Sequence, residues 1–414
     1  MKKRIFILVM LAAMVITACS NGSQSSGGSQ PSGNQPAASS SSSSQKKYDQ
    51  GVTDTEIKIG NWTPRSGPVG QYKAAADGAE AYFNKINAEG GINGRKIKFI
   101  SLDDQYEPSR TVAAAKRLVE QEKVFAIVSA LGTGTNQAAK PYIEEVGIPI
   151  MVYTGSSVFT NPPIKNYFGF LTNYEVEAQT FVKYAHETLG AKRFGILYQT
   201  DDLGKSSLAV VQDYVSKNPG LEIVAEVSNS SSDVDFSAAA IKLKEADPDV
   251  IFGFTNQTAL ATFWKEYTKL GGDAQFMVNS TTGFDNKLFE LVGPSWNGVI
   301  STTSSYSLDD VENPMVKEFL DHYTKDFPNS NLDIGKNSWI SAQIMVEALR
   351  RCGDELTWEN FIKQMESLKD WKGSLLFNVT YSPSSRYGST GFYMMQAENG
   401  TYKPISDLIT IDVE

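Results

Sequence analysis

A loop of small residues, Leu131-Gly132-Thr133-Gly134-Thr135-Asn136, stands between an apolar run at 124–129 and a helical pattern that follows it. Glycine lets the backbone turn tightly and leaves amide N–H groups pointing outward, and a helix start adds partial positive charge, so this spot suits an anion. Gly132-x-Gly134 opens a dinucleotide motif, but Gln137 stands where the third glycine belongs. The next strand end, Met151-Val152-Tyr153-Thr154, also lacks the acidic ribose partner. A carboxylate held by Thr133 and the loop amides fits better than a pyrophosphate; the plain alternative is a capped helix start with no ligand. A second loop of similar make, Thr154-Gly155-Ser156-Ser157, follows the next strand. Neighbouring strands that end in hydroxyl-rich loops form a crevice at the carboxyl edge of a sheet, where such folds take ligands.

Other chemistry finds little support. The only histidines, His186 and His322, lie within helical patterns rather than at strand ends. No His, Cys and carboxylate cluster has zinc spacing, and no Gly-x-Ser-x-Gly elbow surrounds a serine. Asp103-Asp104 and Asp201-Asp202 each follow an expected strand. Paired carboxylates serve glycoside chemistry, but side chains adjacent in a chain rarely converge on one atom, and helix capping or turn formation explains them better. No enzyme activity, metal or cofactor is expected. Arg65 sits at the carboxyl end of the first strand, where it could grip a ligand carboxylate in bidentate fashion or simply face solvent.

The elements that position these loops alternate strictly. Strands are expected at 57–60, 96–102, 124–129, 148–152, 193–198, 221–227, 249–254 and 275–278. Helices are expected at 70–88, 108–122, from the glycine loop to 145, and at 175–189, 204–217, 236–246 and 257–270. Such alternation argues α/β architecture with parallel sheets covered on both faces, here as two doubly wound domains. Helices near 313–326 and 336–351 precede a hairpin around Asn399-Gly400, which returns the chain to close one of the sheets.

The first fifty residues say where the work is done. Lys2, Lys3 and Arg4 precede an apolar run to Ala18, and Cys19 follows directly. A basic start, a short apolar stretch and small residues before the cut describe an export signal over 1–18. Ala18-Cys19 resembles the lipobox of bacterial lipoproteins, which implies that Cys19 carries the lipid. Residues 20–46 hold twelve serines, too polar to fold, and 19–52 reads as a lipidated cysteine and flexible tether. Over 20–46 its root-mean-square reach is roughly 30 Å. The chain carries a formal charge of −9, or −12 without the three basic residues of the signal. No basic run tracks phosphates, so nucleic acid is not an expected partner.

Taken in order, several short motifs carry a resemblance. Ile57-x-Ile59-Gly60, Ser66-Gly67-Pro68-x-x-x-Gln71-Tyr72, Asn87-Ala88-Glu89-Gly90-Gly91-Ile92-Asn93-Gly94 and Asp103-Asp104 are followed by Arg193-Phe194-Gly195-Ile196-Leu197, Pro248-Asp249-Val250-Ile251, Gly373-x-Leu375-x-Phe377 and Gly391-Phe392-Tyr393. Over about 54–405 the chain resembles the type I periplasmic binding proteins, and most nearly the branched-chain amino acid receptors of ABC transporters. The resemblance implies two lobes joined by three crossings, near 172–174, 302–306 and 379–386. Lobe one would be 53–172 plus 306–380, and lobe two 173–305 plus 381–414. It implies an extracytoplasmic lipoprotein that captures a small polar or carboxylate-bearing solute and delivers it to a permease and its ATPase. The alternative is a sensory receptor coupled to a membrane signalling protein.

The family's ligand positions carry over unevenly. Leu131, Gly132 and Thr133 match the grip on the ligand α-carboxylate, with Gly155, Ser156 and Ser157 in the second loop, and Tyr72 matches a cleft aromatic. On the far lobe, Leu203 stands in place of a tyrosine and Asn256 in place of another aromatic. Ser280 stands where amino-acid binders place a glutamate against the ligand ammonium. An ammonium buried without that carboxylate would be poorly compensated, so the solute need not be an α-amino acid. Glu175 and Glu177 are nearby substitutes.

Overall fold

The computed structural model describes residues 47–67 and 69–410. The signal, Cys19 and the serine-rich stretch to residue 46 lie outside the described residues.

After β1 (Lys47–Tyr48), the first sheet is built by β2 (Glu56–Thr63), α1 (Ala74–Ala88), β3 (Lys96–Asp103), α2 (Pro108–Lys116), β4 (Ala126–Leu131), α3 (Thr133–Val146), β5 (Ile150–Tyr153) and β6 (Tyr167–Gly169). Its order is β3-β2-β4-β5-β6, parallel throughout. In β2, Ile57 and Ile59 are fully buried on one face, and Trp62 is buried on the other. Every residue of β4 is buried, as a strand covered on both faces must be. Pro108 opens α2 at a position where its missing N–H costs nothing. The three residues of β6 are too few to show a period, and sequence reading passes over them.

The second sheet begins with α4 (Tyr174–Glu187) and β7 (Arg193–Gln199). It continues through α5 (Asp202–Lys217), β8 (Glu222–Asn229), α6 (Ser237–Ala246), β9 (Val250–Phe254), α7 (Gln257–Lys269), β10 (Gln275–Val278), α8 (Ser280–Gly283), α9 (Lys287–Val292) and β11 (Ile300–Thr303). The chain then goes back to the first sheet with α10 (Pro314–Asp326), α11 (Leu332–Arg351), β12 (Glu355–Leu356) and α12 (Trp358–Glu366), whose apolar residues join the core of α1 and β2. The short β12 pairs with β1, and Gln50 Nε2 donates to the Val124 carbonyl at 3.0 Å. Residues 47–52, expected within the tether, instead belong to the first half through backbone pairing that no residue pattern announces. Finally β13 (Gly391–Glu398), β14 (Thr401–Pro404) and β15 (Ile409–Thr410) rejoin the second sheet. Its main path is β14-β13-β11-β10-β9-β7-β8, with β13 antiparallel to β11. The hairpin from β13 to β14 turns at Asn399 and Gly400, with φ of 51° and 90°, the two positive values that a tight primed turn requires.

The chain therefore passes between the sheets three times, after β6, after β11 and before β13. These passages are bonded to each other. Tyr306 N–H donates to the Leu375 carbonyl at 3.0 Å, and Phe377 N–H to that of Ser304 at 3.1 Å. Gly169 N–H donates to the Arg386 carbonyl, and Gly388 N–H donates back to Gly169, both at 2.9 Å.

Inside the first half, α1 crosses α11 at backbone contact. A Cβ on Gly78 would lie 2.0 Å from the Gly335 carbonyl oxygen, so only glycine fits. Beside that crossing Trp339 is fully buried, its ring 4.8 Å from that of Tyr82 and edge-on. A buried aromatic pair of this kind contributes about 0.5–1.5 kcal/mol beyond its area.

Candidate binding cleft

The carboxyl ends of the strands of both sheets converge on one small cavity. From the first half, β2 leads to a 3₁₀ turn at Gly70–Lys73, where the Thr63 hydroxyl donates to the Tyr72 backbone carbonyl at 2.9 Å and ties the turn to the end of the strand. β4 ends at Leu131 and turns through Gly132, whose φ of 106° and ψ of 143° only glycine adopts readily. A Cβ there would also meet the Thr135 hydroxyl at 2.3 Å and the Tyr106 ring at 2.7 Å. The turn puts Thr133 at the start of α3, its hydroxyl 2.7 Å from that of Thr154 past the end of β5. The Thr154 hydroxyl is in turn 3.2 Å from that of Tyr174.

From the second half come Leu203 near the start of α5, Asn256 at the cap of α7, and Thr281 and Thr282 in α8. Asn256 accepts from Ala259 N–H at 3.1 Å and donates to Gln199 Oε1 at 3.0 Å. Thr282 donates to the Thr255 carbonyl at 2.7 Å. The remaining walls are Val69, Tyr106 and Tyr153.

This cavity has a volume of about 30 Å³, and no side chain lining it carries a formal charge. Burial raises the hydroxyl pKa of Tyr72, Tyr106, Tyr153 and Tyr174, so all four stay neutral donors at ordinary pH. Apolar rings with a few fixed hydroxyls suit a small solute held by hydrogen bonds. A larger groove of about 920 Å³ adjoins it and is lined in part by Gln71 and Gln257, chain neighbours of the cavity residues Tyr72 and Asn256. The cavity is the better candidate, because the strand ends of both sheets meet there.

The halves touch around the cavity. Gln71 Nε2 donates to the Thr258 hydroxyl at 3.0 Å, and Gln257 N–H to the Tyr72 hydroxyl at 3.5 Å. On the same side Asn331 Nδ2 donates to Asp285 Oδ2 at 2.8 Å, and Asn286 N–H to Asp333 Oδ2 at 3.1 Å. Lys336 lies 3.6 Å from Asp333 in this buried network. Burial lowers the lysine pKa and raises that of Asp333 to about 7.

A profile of the periplasmic binding proteins matches residues 56–401. The chain belongs to the periplasmic binding protein family. Leu/Ile/Val-binding protein homolog 7 of Brucella abortus is 24% identical over 315 residues, 72% of this chain and 77% of that one. Among solved structures, a branched chain amino acid ABC transporter protein from Thermus thermophilus with bound valine superposes with a TM-score of 0.77 at 18% identity, covering 87% of this chain and 98% of the other. A fatty acid ABC transporter substrate-binding protein from Thermomonospora curvata reaches 0.78 at 21% identity, over 89% and 95%. The fold is that of type I periplasmic binding proteins, whose members bind solutes, work outside the cytoplasm and are not enzymes. One of these folds holds valine and the other is a fatty acid transporter's binding protein, so the architecture does not by itself choose the solute.

Within the family fold, Tyr72, Leu131, Gly132, Thr133, Leu203 and Asn256 line the cavity. Gly155 lies behind Tyr174, where a Cβ would meet the ring at 2.6 Å. Ser156 donates to Asp202 and Ser157 to Glu175. Ser280 lines a separate pocket of about 20 Å³ beside the crossings. Arg65 is exposed, and its N–H donates to Asp103 Oδ1 at 2.9 Å. The acidic pairs serve turns and caps: Asp103 accepts from Gln105 N–H at 3.0 Å, Asp104 from Tyr106 N–H at 3.1 Å, and Asp201 from Leu203 N–H at 3.1 Å. Among the described residues no group of three or more His, Cys, Asp or Glu side chains could hold a metal ion. No helix among them is long and apolar enough to cross a membrane.

Sequence reading missed Val69, Tyr106, Tyr153, Tyr174, Thr281 and Thr282 as lining residues. Tyr153 ends β5 as visibly as Leu131 ends β4, so its position was a usable signal. Tyr106 was not foreseeable, because its φ of 60° turns it toward the cleft and no residue pattern announces that.

Proposed function

We propose that this chain is the solute-binding lipoprotein of an ABC importer, capturing a small polar or carboxylate-bearing solute, an amino acid or a relative of one, in the Tyr72–Thr133–Thr281 cavity. The observation that carries this reading is a cavity walled by the strand ends of both sheets and lined by neutral hydroxyls. At about 30 Å³ it has room for roughly one or two waters as it stands. Taking a solute of amino-acid size then requires the halves to part and close again, and the three crossings are the hinge.

We read the two halves as the lobes expected at 53–172 plus 306–380 and 173–305 plus 381–414. The first lobe is extended to Lys47, which pairs with Glu355, and to Gly388, because Tyr381 is buried in its core and Gly388 N–H donates to Gly169. Thr133 and the first turn of α3 favour an anionic or carbonyl group. The lining offers no carboxylate for an ammonium, which keeps solutes without an amino group in the candidate set. Cys19 carries the lipid, and the serine-rich tether gives the domain room to dock on its permease.

A thermal-shift screen of the soluble form against amino acids, aliphatic and aromatic carboxylates, amides and small peptides tests this reading. A solute at 100 times its Kd adds about 2.7 kcal/mol, a rise of roughly 5–10 °C for domains of this size. A flat response across all four classes would remove the proposal.

A further inference from the structure

Three carboxylates of the second half reach across one flank of the cleft to donors of the first. Asp201, the cap of α5, meets the backbone N–H of Gly134 in the first turn of α3. A Cβ built on Gly134 would lie 3.4 Å from Asp201 Oδ2. Asp202 accepts from the Ser156 hydroxyl, and Glu175, in the first turn of α4, accepts from that of Ser157. Gln199 Nε2 donates to Asp201 at 2.8 Å and steadies it.

These contacts form a set. All the acceptors come from the second half and all the first-half donors from the two loops at the ends of β4 and β5. Carboxylate acceptors make hydrogen bonds roughly twice as strong as neutral ones, and the α3 start adds the favourable end of a helix dipole. Asp201 thus ties the second half to the start of α3 beside the cavity, not within it.

We infer that Asp201, Asp202 and Glu175 are a built-in latch that favours the closed cleft, by supplying the protein's own carboxylates to the loops at the ends of β4 and β5. This rests on the reading of the crossings as a hinge.

The test attaches a donor and an acceptor fluorophore through noncanonical residues at the exposed positions 145 and 217, one in each half. The protein is stripped of solute by dialysis, and the wild type is compared with Asp201→Ser/Asp202→Ala/Glu175→Ala. Serine keeps the α5 cap but is too short to cross the cleft. Ser156→Ala/Ser157→Ala removes the facing hydroxyls and serves if the triple variant folds poorly. A third variant, Thr281→Trp, wedges the cavity and opens any hinge. The inference expects high transfer efficiency in the wild type and a shift to lower efficiency in the latch variants. Wild-type efficiency in the latch variants beside a drop in Thr281→Trp overturns the latch and leaves the hinge standing. No drop in any variant overturns both.

Discussion

The backbone N–H of Ser280 donates to Glu177 Oε1 at 3.0 Å. The serine occupies the position where the resemblance expects a glutamate, and a glutamate from α4 approaches it from the other side. The Thr302 hydroxyl donates to the same oxygen, while Glu177 Oε2 is buried without a hydrogen-bond partner. Glu177 itself is fully buried. A carboxylate so placed, with no cation bonded to it, is costly to ionise.

That cost makes a pH prediction. Burial pushes the Glu177 pKa from 4.5 up to about 7. A group whose folded pKa lies above its unfolded one contributes stability that is complete below pH 4.5 and is lost as pH rises through 7. Glu177→Gln stays neutral, so its advantage over the wild type should grow from pH 5 to pH 8 and reach up to about 3 kcal/mol. Urea unfolding at four pH values measures it; a difference that stays flat with pH contradicts the assignment.

Gly78→Ala reverses an ordinary expectation. In an exposed helix the change would stabilise by about 1 kcal/mol. Here the new Cβ meets the Gly335 carbonyl at 2.0 Å, and two packed backbones must part. A loss of about 2 kcal/mol or more is expected in urea unfolding, and a gain would show that α1 and α11 do not touch as described.

Thr133→Val deletes a hydroxyl of the buried Thr133–Thr154 pair while keeping its shape. Solute affinity should fall about 10-fold, the worth of one such bond. Isothermal titration with the strongest solute from the thermal screen reads it. Unchanged affinity would take Thr133 out of the solute's reach.

Cys19→Ala should release the protein from the membrane fraction into the soluble one, with the thermal midpoint of the folded domain unchanged. Retention in the membrane after carbonate washing would place the anchor elsewhere.

Much of the fold was legible because its signals are local. Strand and helix alternate with clear periods, Pro108 marks a helix start, and Asn399-Gly400 marks a hairpin. The lining positions that follow strands, such as Leu131 and Thr133, were legible for the same reason. What could not be read depends on contact across the cleft. Ser156 and Ser157 resemble ligand donors in sequence, yet their hydroxyls are taken by Asp202 and Glu175, which are distant from them in the chain. Asp201-Asp202 read as a cap, which Asp201 is, but the reach of both side chains to the other half is a tertiary fact. Short elements such as β6 and α8 owe their form to neighbours rather than to their own residues.

The proposed solute sits between Thr133 and Thr281, one per chain. Isothermal titration of the strongest solute into the wild type and into Thr281→Trp tests that directly. One solute bound per chain in the wild type, and no measurable binding when the tryptophan fills the cavity, is the predicted result. Equal affinity in the two proteins would place the binding site elsewhere and contradict the account.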